Sequence, residues 1–246
     1  GNLMELMVMA DALKRASARH ITAVVPYYGY ARQDRKTRGR EPITAKLVAN
    51  LMQTSGITRL VTIDLHAGQI QGFFDVPVDH LYGASILAKY INEKNMEDII
   101  VVSPDLGGVT RARDLADRIG APIAIIEKKR TEPGVAKVMN LIGDVAGKNC
   151  IIIDDIVDTA GTITKAANIM LDAGAKSVRA IASHCVMSDP ASFRVQESGL
   201  TEMVFTDSIP YAKKCPKVKQ LSIADMFAET IRRVMTNESI SSQYLL

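Results

Sequence analysis

Apolar positions along this chain follow two periods, and the switches between them mark out its elements. Residues 3–18 set Leu3, Leu6, Met7, Ala10, Leu13 and Lys14 on one helical face, and Met4, Met7 and Met9 are expected to fill core. A β-branched run at 21–25 ends at Pro26. Pro42 opens a helix over 43–55 that Gly56 closes, and a strand follows at 59–64. Residues 71–79, around Pro77, read as a loop before a helix at 81–92. A strand at 99–103, a helix ending at Gly120 and a strand at 122–126 come next. Residues 131–136 show neither period and read as a mobile flap. Ile151, Ile152 and Ile153 form a buried strand, with the carboxylates Asp154 and Asp155 at its end. Ile163, Ala166, Ala167, Met170 and Leu171 then recur at helical spacing, and Gly174 stands where a helix-ending glycine belongs. Strands at 177–184 and 202–206 and a helix at 223–234 complete the pattern, before a polar tail that turns apolar at its end.

Stretches 21–80 and 99–184 each alternate strand and helix. The expected architecture is α/β: two domains, residues 1–82 and 83–246, with mainly parallel sheets flanked by helices. The C-terminal helix belongs to the second domain by sequence and is a candidate to pack on the first. The chain opens at Gly1-Asn2 with no initiator Met or leading strand, which reads as a start inside a domain.

Composition narrows the function classes. The 246 residues are 47% hydrophobic and 23% charged, ordinary for globular domains, and the net charge of +3 is too small to argue for nucleic acid. Cys150, Cys185 and Cys215 lie far apart without metal-ligand spacing, so a reduced compartment is the default. No apolar run has the length a bilayer needs. A cytoplasmic protein without membrane or nucleic-acid partners is expected.

The polar motifs follow strands, where the carboxyl edge of an α/β sheet gathers ligands. After Ile153 come Asp154, Asp155, Asp158, Thr159, Ala160, Gly161 and Thr162, a strand–turn–helix passage. Backbone N–H groups at such a helix start suit a phosphate. The carboxylates repel phosphate but accept hydrogen bonds from vicinal sugar hydroxyls, so the passage reads as a ribose phosphate site. The loop 31–40 holds four arginines and one lysine, among them Arg32, Lys36 and Arg40, beside Gln33, and suits a polyphosphate. His66, in Asp64-Leu65-His66, and Asp105, in Ser103-Pro104-Asp105, stand past strand ends as metal candidates. Gly107 and Gly108 allow close approach to an anion. Lys128 and Arg130 precede the flap and place cations where they can close over a reacting phosphate.

The acidic-pair passage resembles the ribose 5-phosphate loop of the type I phosphoribosyltransferase fold. Joined with Tyr30-Ala-Arg-Gln-Asp34, with Asp64-Leu-His66 followed by 69–75, and with Ser103-Pro-Asp105 plus Gly107-Gly108, it makes the whole chain similar to ribose-phosphate pyrophosphokinases of the phosphate-activated class. That resemblance implies two phosphoribosyltransferase-like domains, and a reaction in which ATP and ribose 5-phosphate give phosphoribosyl pyrophosphate and AMP with Mg²⁺. It implies that Arg32, Gln33 and Lys36 bind ATP and that His66 and Asp105 hold magnesium. Lys128 is implied as the principal catalytic residue, with Arg130 beside it, and Asp154, Asp155 and 158–162 as the ribose 5-phosphate site. Homo-oligomers, commonly hexamers of paired subunits, are implied, as are phosphate activation and ADP inhibition through Ser239, Ser241 and Arg40. The family's Phe-x-Asp-x-Glu stretch, which contacts adenine, has no counterpart here. Two rivals remain: a phosphoribosyltransferase, which explains 99–184 but not the basic loop or His66, and a non-catalytic regulatory subunit.

Overall fold

The computed structural model describes residues 1–129 and 138–241. The chain divides into two compact units, Gly1–Tyr82 and Gly83–Leu246.

In the first unit, β1 (Thr22–Val24), β2 (Arg59–Ile63) and β3 (Val78–Leu81) form a parallel sheet in that order. The helices α1 (Asn2–Arg15) and α2 (Thr44–Ser55) share one core with it, built on Ala10, Ile21, Tyr28, Ala45, Val48, Met52, Leu60 and Ile70. Leu3 and Leu6 pack on this core, but Met4 is 62% exposed, Met9 52% and Leu13 49%, against expectation. The inward stripe runs through residues 3, 6, 7 and 10, and positions 4 and 9 lie roughly 100° to either side of it. Lys14 does reach inward. Its stem lies over Gly56, where an added Cβ would come within 2.8 Å of Lys14 Cδ, and its Nζ donates to the Thr54 carbonyl at 3.4 Å. β3 occupies residues read as loop and helix start. Its polar Asp79 and His80 are buried by pairing with β2 and by the 2.7 Å bridge from Arg59 to Asp79. The next helix therefore begins only at Ala84.

The second unit runs α3 (Ala84–Glu93), β4 (Ile99–Ser103), α4 (Val109–Ile119), β5 (Ile123–Lys129), β6 (Val138–Ile142), β7 (Asn149–Val157), α5 (Gly161–Asp172), β8 (Ser177–Cys185), α6 (Ala191–Glu197), β9 (Glu202–Thr206), β10 (Val218–Leu221) and α7 (Ala224–Thr236). Its seven strands lie in the order β10-β9-β8-β7-β4-β5-β6, all parallel except the β5–β6 pair. β7 is buried on both faces, which is why it reads as a continuous apolar run. Ile151 and Ile153 pack with Leu87, Ala112 and Leu115 of α3 and α4. Cys150 and Ile152 pack with Ile163, Ala167 and Val195 of α5 and α6. Helices thus cover both faces. β6, α6 and β10 have no counterpart among the expected elements, and β7 continues through the acidic pair to Val157 instead of ending before it. Gly174 takes φ +89°, the left-handed conformation a helix-ending glycine supplies.

Glu202, buried at the start of β9, is held by Lys94 and Arg179, each at 3.0 Å, and by Lys219 at 3.2 Å. These cations serve the opposite end of the sheet from the strand-end motifs. The cysteines are buried free thiols, and burial pushes Cys150 to about 11 and Cys185 to about 12, so neither is a thiolate nucleophile at neutral pH. Among the described residues, no helix is long and apolar enough to cross a membrane.

Candidate active site

Strand order fixes where a site forms in the second unit. From β4 the chain moves through α4 to β5 on one side, and from β7 through α5 to β8 on the other. α4 lies on one face of the sheet and α5 on the other. The gap between the carboxyl ends of β4 and β7 is therefore a topological switch point, where open α/β sheets hold ligands.

The turn after β4 lies on one side of that gap. The buried Ser103 hydroxyl donates to the Asp105 carbonyl at 2.6 Å, and the Gly108 N–H donates to Asp105 Oδ1 at 3.1 Å. A Cβ on Gly108 would sit 2.9 Å from Ser103 Oγ, so only glycine leaves the hydroxyl in place. Gly108→Ala is expected to lower unfolding free energy by about 1–3 kcal/mol, because the Ser103 hydroxyl must give up its bond. Gly107→Ala, whose Cβ would meet only Asp105 Oδ1 at 3.3 Å, should cost less. Equal denaturant midpoints for the two variants would show that the Ser103 bond does not hold the turn.

The other side carries the acidic pair. Asp155 is buried and Asp154 half-buried, and the Asp155 N–H donates to Asp154 Oδ1 at 2.9 Å. Arg111 of α4 places Nη1 3.6 Å from Asp154 and 3.5 Å from Asp155, so one cation serves two carboxylates. Burial, and then Asp155 beside it, pushes Asp154 up to about 7, while Arg111 pulls it down. Past Val157, Ala160 turns left-handed at φ +58° and starts α5, which no side chain caps. Asp158 is half-buried there, Thr159 and Thr162 are exposed, and Gly161 is half-buried. The passage presents two carboxylates, which can accept hydrogen bonds, and an uncapped helix start on one edge. Lys128 lies in β5 opposite Met139, three residues beyond the Ile125–Ser103 pairing, and so passes the same edge. Arg130 and the flap at 131–136 lie outside the described residues.

The first unit gathers its own strand-end groups. The basic loop leaves β1 and the Asp64–His66 turn leaves β2, and Gln69 Nε2 ties the two by donating to Asp34 at 3.0 Å. Tyr28 anchors the loop, its hydroxyl donating to the Ala45 carbonyl at 2.9 Å and its ring against Phe74 at 5.7 Å. Gln33 accepts from the Thr44 hydroxyl at 2.7 Å, while Arg32, Lys36 and Arg40 are exposed. His66 is exposed past Asp64, which takes φ +43°. Ser239 and Ser241 lie together after α7, where the Ser241 N–H donates to Ser239 Oγ at 3.2 Å and Arg233 donates to the Ser239 carbonyl at 2.7 Å.

Two residues that matter to these arrangements escaped the sequence reading. His80 of β3 accepts the Leu65 N–H on Nε2 at 2.9 Å and so fixes the turn that carries His66. Nothing local marks it. Arg111 carried a usable signal: a cation in the first turn of a helix opposes the macrodipole, so it needs carboxylates from elsewhere.

A doubly covered, mainly parallel sheet with an acidic pair and a helix start at its switch point defines a doubly wound α/β protein whose ligand edge carries these groups. Residues 1–56 match the N-terminal domain of ribose phosphate pyrophosphokinase, and residues 129–245 match the phosphoribosyl synthetase-associated domain. Ribose-phosphate pyrophosphokinase of Bacillus caldolyticus is 61% identical over 242 residues, covering 98% of this chain and 77% of that protein. The Porphyromonas gingivalis protein of the same name is 60% identical over 245 residues, covering 99% and 78%. The crystal structure of phosphoribosylpyrophosphate synthetase from Mycobacterium smegmatis superposes with a TM-score of 0.90 at 49% identity, covering 96% of this chain and 78% of that one. The chain belongs to the ribose-phosphate pyrophosphokinase family.

Proposed function

We infer that this chain transfers the pyrophosphoryl group of ATP to the C1 hydroxyl of ribose 5-phosphate, giving phosphoribosyl pyrophosphate and AMP. Family membership carries the activity, and the observation that ties it to this molecule is the acidic pair beside the α5 start at the β4/β7 switch point. Asp154 and Asp155 accept the sugar's vicinal hydroxyls, while 158–162 take its 5-phosphate. Bound that way, the pair orients the sugar and stays remote from the C1 proton. The anomeric oxygen attacks the β-phosphorus and AMP leaves, a reaction governed by alignment and charge neutralisation. Lys128 and Arg130 are the cations proposed to meet the charge that develops. Arg32, Gln33 and Lys36 bind ATP.

Magnesium is the proposed cofactor, and His66 and Asp105 are the side chains proposed to bind it. Among the described residues, no three His, Cys, Asp or Glu side chains gather into a cage. Bound with the nucleotide, magnesium supplies charge neutralisation at the phosphates. A homo-oligomer of paired subunits in a reducing cytoplasm is the proposed setting. Phosphate and ADP are proposed effectors acting at Arg40, Ser239 and Ser241.

The purified protein, given ATP, magnesium and ribose 5-phosphate, should release AMP in step with phosphoribosyl pyrophosphate. Pyrophosphate release that depends on an added base would instead mean a phosphoribosyltransferase, and neither product would mean a non-catalytic subunit. The same assay with added phosphate should run faster, and with added ADP slower. Indifference to both removes the effector proposal alone.

A further inference from the structure

α6 is short, and its buried face, Ala191 and Val195, docks it beside α5. From it Arg194 reaches back across the chain. Its Nη1 donates to the Thr159 carbonyl at 2.9 Å and lies 3.5 Å from where a Cβ on Gly161 would stand. Between these contacts sits Ala160, buried and left-handed at φ +58°. A non-glycine residue in that region costs about 1–2 kcal/mol, so surrounding contacts have to hold it. Two are present. Thr164 bonds the Ala160 carbonyl, through its N–H at 3.0 Å and its Oγ1 at 2.9 Å, and Arg194 holds the carbonyl on the other side. In a trans peptide C=O and N–H point in opposite directions, so pinning the Thr159 carbonyl toward α6 aims the Ala160 N–H away from it. Among the described residues no ion pair engages Arg194, and its guanidinium lies beside the α5 start.

We propose that Arg194 is a positioning residue for ribose 5-phosphate: it latches the 159–160 peptide and biases the turn toward the sugar's phosphate. The proposal rests on the reading of 154–162 as the sugar site. The latch comes from an element outside that passage, and it makes the cradle's shape depend on how α6 docks.

The test uses the full chain, with ribose 5-phosphate titrated calorimetrically in the absence of ATP. Arg194→Gln should weaken binding about tenfold, the effect expected of a charge-assisted hydrogen bond. Its KM for ribose 5-phosphate should rise in step while kcat and the KM for ATP stay within twofold. Amide exchange over 159–163 should quicken in the ligand-free variant. Arg194→Lys, which keeps both charge and donor, should restore most of the affinity and the protection. Wild-type binding and exchange in Arg194→Gln would overturn the latch, as would losses in every kinetic parameter that track a lowered melting point. Asp154→Asn with Asp155→Asn serves as the reference. If that variant also binds like wild type, the sugar-site reading fails, and the latch with it.

Discussion

Lys128→Ala should lower turnover by on the order of a hundredfold or more, the scale lost with one preorganised transition-state donor. Affinity for ribose 5-phosphate should change little. The backbone supports a defined position for this lysine. β5 pairs in parallel with β4 as far as Ile125 and Ser103, then continues alone against β6, with Lys128 opposite Met139 and Lys129 opposite Val138. At about 3.3 Å per residue, Lys128 stands roughly 10 Å beyond the point where β4 turns away into the Asp105 loop. A paired ribbon, and not a free loop, therefore carries it past the switch-point edge. The catalytic role proposed for Lys128 requires its charge to be worth more in the transition state than in the bound ground state. Steady-state AMP release at saturating substrates measures the effect. Turnover equal to wild type would make Lys128 a surface charge. A raised KM with intact turnover would make it a ground-state binder.

The contrast between what the sequence disclosed and what it hid follows from locality. β7 and α5 were legible because their signal is contiguous: an apolar β-branched run, then acidic and small residues, then a helical period closed by Gly174. The passage proposed as the sugar site shares that property, with all its members inside 154–162. The missed elements lack it. β10 alternates weakly, being half-exposed at its ends and exposed between, and is a strand only because it pairs with β9. α6 offers just Ala191 and Val195 to the core, and its most apolar residue, Phe193, is 69% exposed. β3 carries a charged Asp79 whose partner, Arg59, comes from β2. Pairing and packing decide such segments, against weak local preference.

The same distinction runs through the site. Asp105 announces itself by its place after β4, and Asp154 and Asp155 by following the apolar run of β7 directly in sequence. Arg111, His80 and Arg194 act on atoms 43, 15 and 35 residues away, and only the fold brings them there. Methionines on α1 show the converse error. Apolar residues at nearly every position of a helix give no unique face, and Met4 and Met9 fell outside the stripe that packs.

Asp154→Asn together with Asp155→Asn should weaken ribose 5-phosphate binding by on the order of a hundredfold, since hydrogen bonds to two charged acceptors are lost. ATP affinity should hold. Unfolding is not the cause. The folded chain holds the Asp154 proton up to about 7, against an ordinary value of 3.8, because burial and the adjacent Asp155 disfavour its charge. A raised folded value contributes stability below the ordinary value and loses it as pH rises through the folded one. At pH 8 the wild-type protein has lost that contribution, and the amides remove the repulsion that causes the loss. The 3.5–3.6 Å pairings to the partly exposed Arg111 lose their charge in the variant, but an amide oxygen at each position can still accept from it. Its melting point at pH 8 should therefore stay near wild type. The same titration shapes binding: protonated Asp154 has one acceptor fewer, so wild-type affinity for the sugar should climb between pH 6 and 8. The sugar's own phosphate also ionises near pH 6, but it does so for both proteins. The difference between the two calorimetric profiles isolates the carboxylates. A variant that keeps wild-type affinity and the same pH slope, or that loses ATP and retains the sugar, would move the ribose hydroxyls away from this pair.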